Sequence, residues 1–267
     1  TGPGGAHSGT FTPGVDQPGA YTYTVLGTAP CANATAVVTV SIVTAPNAGT
    51  NGSTTVCSNG APFSLFALLG GTPDATGTWS GPGGATSGTF TPGTSQAGVY
   101  TYTVAGTAPC ANASATVTVS VVAAPNAGTN GSITVCSDQG PVNLFALLGG
   151  SPQAGGTWTR PNGQAHSGTY LPASEPGGVY TYTVAGTLPC ANATATVQVN
   201  RVIAPNAGVN GTITVCSTNA PFQLITVLGG SPSGSGTWLA PGNTPTSGTF
   251  TPGTSAPGVY TYVVAGT

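Results

Sequence analysis

Six cysteines are the side chains here with the most chemistry to offer, and they fall into two series. Cys31, Cys110 and Cys190 each follow a proline; Cys57, Cys136 and Cys216 each follow a valine. An even number of cysteines in uncharged, extracellular-looking modules points to disulfides and an oxidising compartment. Zinc is the competing chemistry. It would want paired cysteines two residues apart or histidines close by, and neither occurs.

The remaining candidates are weaker. His7 and His166 occupy one repeat position, but Thr86 and Thr246 stand there in the other copies, so a surface histidine is expected in place of a ligand or base. Asp74 aligns with Gln153 and Ser233, which removes a repeated carboxylate site. There is no Gly-x-Ser-x-Gly elbow and no phosphate-loop lysine, so no enzymatic activity and no cofactor are expected. Trp79, Trp158 and Trp238 could stack on sugars, yet one buried tryptophan per sandwich is the commoner use. Asn33, Asn51, Asn112, Asn130, Asn192 and Asn210 each begin an Asn-x-Ser/Thr sequon, in a chain where turn-forming Asn is frequent anyway. Threonine arrays could bind ice; threonine is also a good strand residue on a solvated face.

The elements that carry these residues repeat. Tyr21, Tyr100, Tyr180 and Tyr260 open four copies of a Tyr-x-Tyr-x-Val stretch, at offsets of 79, 80 and 80 residues. Apolar and Thr side chains alternate there with the period of two expected of a half-buried strand. Everything else repeats in register, so the chain is an array of one module. Residues 1–42 are the end of one copy, 43–122 and 123–202 are whole, and 203–267 lack the last strand; the sequence reads as a window on a longer array.

Within 43–122 the pattern predicts strands at 53–57, 77–80, 87–91, 100–104 and 115–121. The apolar run 63–69 fits either a strand or a strand ending in a helical turn. Short strands at this spacing around one tryptophan predict an all-β tandem array of immunoglobulin-like sandwiches of about 80 residues. Trp79, Trp158, Trp238, Tyr100, Tyr180 and Tyr260 are the expected core aromatics, the tyrosines at the tyrosine-corner position. Arg201 should open an exposed linker that trypsin can cut.

Disulfide pairing stays open on this pattern. A bridge from Cys57 to Cys110 within one copy would close about 54 residues, worth roughly 4 kcal/mol in the loop-entropy model. It is the habit of secreted domains and the expected pairing, although the strand order puts the two cysteines at opposite ends of a sandwich. A staple from Cys57 to Cys190 of the next copy, and bridges between chains, are the alternatives.

Composition narrows function further. Only 2% of residues are charged, four acidic against two basic, with no lysine and no methionine. Two arginines cannot displace the counterions of a nucleic acid. About one carboxylate per copy is too few for calcium-stiffened repeats. A lysine–asparagine isopeptide bond is impossible, and no apolar run approaches the roughly 20 residues of a membrane helix. Yet 39% of residues are hydrophobic, so the chain can build cores. Uncharged faces repeated at every copy should favour self-association into a homo-oligomeric fibre, with an axial period of roughly 35–45 Å per repeat.

The motifs Pro46-Asn47-Ala48-Gly49, Val56-Cys57-Ser58, Leu65-Phe66-Ala67-Leu68-Leu69-Gly70-Gly71, Gly77-Thr78-Trp79, Gly98 to Val104 and Pro109-Cys110-Ala111-Asn112-Ala113 recur along the window. Together they resemble the repeats of giant surface adhesins of gliding Bacteroidota, exported by type IX secretion, a group that includes gliding adhesins and prey-grappling filaments. The resemblance implies the shaft of an extracellular adhesive filament at the cell surface, reaching glycans or prey cells through other regions. A repeated binding module for polysaccharide or ice is the alternative. Shaft repeats have no active site, so the resemblance transfers no functional residues.

Overall fold

The computed structural model describes residues 1–266. Segment 1–42 contributes a hairpin, β1 (Gly19–Val25) and β2 (Ala34–Val40). Copy 43–122 follows with β3 (Gly52–Cys57), β4 (Phe63–Ser64), β5 (Thr78–Gly81), β6 (Gly84–Thr86), β7 (Thr89–Phe90), β8 (Gly98–Val104) and β9 (Ala113–Val122). Copy 123–202 repeats it as β10 (Gly131–Cys136), β11 (Val142–Asn143), β12 (Thr157–Thr159), β13 (Ala165–His166), β14 (Thr169–Tyr170), β15 (Gly178–Val184) and β16 (Ala193–Val202). The last copy holds β17 (Phe222–Gln223), β18 (Thr237–Ala240), β19 (Thr244–Thr246), β20 (Thr249–Phe250) and β21 (Thr261–Val263).

Each whole copy is a sandwich of one large and one small sheet. The large sheet has the order β3-β9-β8-β5-β6, repeated as β10-β16-β15-β12-β13; the small one is β4-β7, repeated as β11-β14. The first strand runs parallel to the last, Cys57 opposite Val122 and Cys136 opposite Val202, while the other pairings are antiparallel. On β9 the alternation turns Ala115, Val117 and Val119 inward, each at most 3% exposed, and leaves Thr118 and Ser120 to solvent. A separate core cluster fills each copy: one around Leu65, Trp79, Phe90 and Tyr102, one around Leu144, Trp158, Tyr170 and Tyr182, and a smaller one around Leu224, Trp238 and Tyr262.

Local departures from the sequence reading have local causes. The apolar run 63–69 is two residues of strand followed by a 3₁₀ turn, Phe66–Leu68. The turn lets Leu65 point into the core while the Phe66 ring packs edge-on against Tyr102 at 5.4 Å. A short strand at Gly84–Thr86, read as part of a turn, pairs with the tryptophan strand. Gly88 is required beside it: its φ is +82°, and a Cβ there would lie 2.5 Å from Trp79 Cδ1.

By compactness the chain divides into two units, Thr1–Ala124 with Thr187–Cys190, and Pro125–Gly186 with Ala191–Thr267. The exposed linker expected at Arg201 is not there. Arg201 lies inside β16, opposite Val135 of β10, and its Nε donates to Pro172 O at 2.6 Å. The next residues are held as well, because Ala204 N–H donates to Ser137 Oγ at 2.9 Å. Tryptic digestion of native protein should therefore leave Arg201 uncut, with cleavage appearing only after denaturation. Mass spectrometry of both digests checks this, and a native cut at Arg201 would contradict the paired junction. No helix among the described residues is long and apolar enough to cross a membrane.

Candidate functional site

The cysteines meet once among the described residues. Cys57 and Cys190 form a disulfide with their Cα atoms 4.9 Å apart, 133 residues apart in sequence. Cys31, Cys110, Cys136 and Cys216 are thiols. The within-copy bridge from Cys57 to Cys110 is thus overturned. β3 runs parallel to β9, so Cys57 ends beside Val122, whereas Cys110 precedes Ala113 at the other end of a ten-residue strand. Such a strand is about 33 Å long, far beyond the reach of a disulfide.

Loop 187–190 belongs to the same compact unit as Cys57. It is a tight turn after the cis Leu188–Pro189 bond, closed by Cys190 N–H donating to Thr187 O at 2.9 Å. Cys190 Sγ lies 3.5 Å from Val122 O, which sets it over the end of β9. The Cys110 loop is built alike, with Sγ 3.5 Å from Val43 O. The sequon asparagines lock these loops and strands. Asn33, Asn112 and Asn192 accept the N–H of Gly27, Gly106 and Gly186, and Asn51 and Asn130 accept those of Thr116 and Thr196.

The expected core aromatics take their places. Trp79, Trp158 and Trp238 are 6–8% exposed, which leaves no ring face for a sugar. Tyr100 and Tyr180 are buried and Tyr260 is half-buried. Each makes the tyrosine-corner bond, its hydroxyl donating to the carbonyl four residues back at Gln96, Pro176 and Ala256. Burial, the Glu175 charge and Tyr170 together push the Tyr180 hydroxyl up to about 12. The second tyrosine of each strand does as much: Tyr102 donates to Asp74 O and accepts from Gly77 N–H, and Tyr182 does the same with Gln153 and Gly156. At position 74 the side chain's task is to accept the N–H of Asn47, which Gln153 does equally for Asn126.

His166 is not on the surface. Its side chain is 1% exposed, Nε2 lies 3.1 Å from Glu175 Oε1, and Nδ1 accepts from Gly168 N–H at 3.0 Å. Arg160 pairs with the same carboxylate at 2.9 Å. Both ring nitrogens are engaged, so the group fixes a turn and has no free valence for a ligand. The pairing was legible in the repeats. His7 occurs with Asp16 and His166 with Glu175, while Thr86 and Thr246 occur with Ser95 and Ser255. In every copy the acid or serine accepts the same turn N–H, at Thr12, Thr91, Leu171 and Thr251.

Burial by itself would raise the Glu175 carboxyl; the Leu171 N–H, the His166 hydrogen bond, and the His166 and Arg160 charges outweigh it and hold the group below its ordinary value. The charged form therefore contributes stability above the ordinary carboxylate range, and that contribution is lost as pH falls through the lowered folded value. Glu175→Gln should cost about 2 kcal/mol at neutral pH by leaving its donors with a poorer acceptor. Melting temperatures of both proteins against pH check this: the gap should close in acid, and a gap that does not change with pH would refute it.

No protein-family model matches the sequence, and no curated protein matches it. Among solved structures the chain is similar to the titin I-band fragment I67–I69, at 14% identity over 69% of this chain and 75% of that one, with a TM-score of 0.42. It is also similar to the N-terminal four immunoglobulin domains of Dscam1 isoform 6.9, at 14% identity over 63% and 51% and a TM-score of 0.32. Sidekick-1 immunoglobulin domains 1–4 match at 14% identity over 85% and 81%, with a TM-score of 0.24. What makes the modules of this chain immunoglobulin-like is their own strand order, with a parallel first-to-last pairing, a buried tryptophan on the central strand and a tyrosine corner.

Proposed function

We propose that the chain is a non-catalytic structural repeat, the shaft material of an extracellular adhesive filament whose binding tip lies in other regions. The observation that carries this reading is the Cys57–Cys190 disulfide, which ties copy 43–122 to the loop of copy 123–202. Each copy has its own core, so a bond that closes 133 residues across a repeat boundary adds resistance to separation under load. Such a bond persists in oxidising compartments, in keeping with a place at the cell surface. The tryptophans and the His166–Glu175 pair are spent on the fold, which favours a shaft over a sugar-binding repeat.

Self-association into a homo-oligomeric fibre belongs to the same proposal. Uncharged faces recurring every 79 or 80 residues let a weak contact be made again at each copy. The test is a glycan array and an ice-affinity assay on the whole chain, beside small-angle scattering with and without reductant. Silence in both binding assays, with scattering that loosens on reduction, is the expected result. Saturable binding to a glycan or to ice would replace the shaft with a repeated binding module.

A further inference from the structure

In the last copy, Gly211–Cys216 and Gly258–Tyr262 face each other across a slot of about 610 Å³, floored by Leu224, Leu228 and Trp238. The whole copies show what fits there. In each, the last strand lies between the equivalents of these two segments, antiparallel to one and parallel to the other, with three apolar side chains inward. For β16 these are Ala195, Val197 and Val199, all at most 1% exposed. Asn51 and Asn130 mark the same edge by accepting an N–H of that strand, at Thr116 and Thr196. Asn210, their equivalent, has no such bond among the described residues. Without a neighbouring strand, Gly211–Cys216 forms no ladder there.

A second observation concerns Cys136. It ends β10 opposite Val202, as Cys57 ends β3 opposite Val122, yet it is a thiol. Cys57 is bonded because a Pro-Cys loop two residues ahead of a last strand reaches it. The slot and Cys136 therefore lack one and the same element: a Pro-Cys-Ala-Asn loop running into an Ala-x-Val-x-Val strand.

Segment 28–40 is such an element. Its loop already has the closed form, with Cys31 N–H donating to Thr28 O and Gly27 N–H to Asn33 Oδ1, both at 2.9 Å, and Cys31 is exposed. Behind it β2 offers Ala36, Val38 and Val40 in the register of Ala195, Val197 and Val199, with Val38 64% exposed. β2 is held only in a two-stranded hairpin with β1, an arrangement that is marginal in water.

We propose that Cys136 is a covalent acceptor for the Pro-Cys loop of another copy of this repeat, and that a second molecule of this chain supplies it through residues 28–40. β2 leaves β1, pairs with β21 on one edge and Gly211–Cys216 on the other, and turns Ala36, Val38 and Val40 into the slot. The Val37 N–H then meets Asn210. Cys31 and Cys136 each give up a proton and one electron, an S–S bond forms, and a small-molecule disulfide such as oxidised glutathione takes both electrons and protons to become two thiols. The idea rests on the shaft reading and deepens it, since every strand-end cysteine becomes an acceptor and staples continue along the array.

The test is the whole chain incubated in a glutathione redox buffer, followed by light scattering and a non-reducing peptide map. Disulfide-linked oligomers should form, with the Cys31 peptide joined to the Cys136 peptide. Cys136→Ser should abolish the covalent ladder and leave reversible association; Val38→Asp should abolish both, with the Cys57–Cys190 bond intact. A chain that stays monomeric, or one whose thiols cross-link without preference for Cys136, overturns the proposal. Either result leaves the shaft reading standing, because that depends on Cys57–Cys190 and on the binding assays.

Discussion

Reducing the Cys57–Cys190 bond, or replacing either cysteine with serine, should lower the melting temperature of the transition containing copy 43–122 by roughly 10 °C or more. The bond closes a loop of 133 residues, worth about 5 kcal/mol in the loop-entropy model, and native disulfides in small secreted domains typically contribute about 2–5 kcal/mol. One kcal/mol moves the midpoint of a domain this size by about 4–8 °C. Calorimetry with and without reductant reads the shift. Cys136→Ser and Cys216→Ser should leave the same transition unmoved, because those residues are thiols. A chelator should do nothing, since no cluster of metal-binding side chains occurs among the described residues. A reductant-insensitive transition would mean that the staple contributes nothing to folding, and the shaft argument would lose its carrying observation.

Trp158→Ala should unfold copy 123–202 instead of merely silencing a binding surface. The indole is 6% exposed, stacks at 5.1 Å on Tyr182, and lies under the backbone of Gly168, where an added Cβ would come within 2.9 Å of its ring. Truncating a buried tryptophan costs about 3–5 kcal/mol, comparable with the whole stability of a domain this small. Circular dichroism and calorimetry should show the second transition shifted far down or lost, while the transition of copy 43–122 persists around its own core. A variant that melts like the parent but loses affinity for a polysaccharide would return the tryptophans to the sugar-stacking role.

The strands that carry these effects were legible because their signal is local. Tyr-x-Tyr-x-Val and Ala-x-Val-x-Val alternate with a period of two, and each apolar position of β8 and β9 points where that alternation requires. The tyrosine corner was legible for the same reason, since its bond spans four residues. The 3₁₀ turn at Phe66–Leu68 was not, because a seven-residue apolar run satisfies both periods until its neighbours select one. His166 was misplaced on the surface because its substitution by threonine was weighed alone. Its partner nine residues on, Glu175, changes to serine in step, and the pair decides the burial.

The sequence by itself determined the module, its period of about 80 residues, the inward and outward faces of the long strands, and the absence of charge that removes nucleic-acid and calcium chemistry. These follow from periodicity and composition, which need no long-range contact. Only the tertiary structure decided which cysteines meet and whether Arg201 is exposed. Both depend on the parallel ladder between β3 and β9, and between β10 and β16, strands that lie some 60 residues apart in the chain. That ladder sets Cys57 beside the end of the last strand and draws Arg201 into the sheet. Antiparallel pairing would have put Cys57 near the Cys110 loop instead, and strand direction across so long a separation leaves no mark in local pattern.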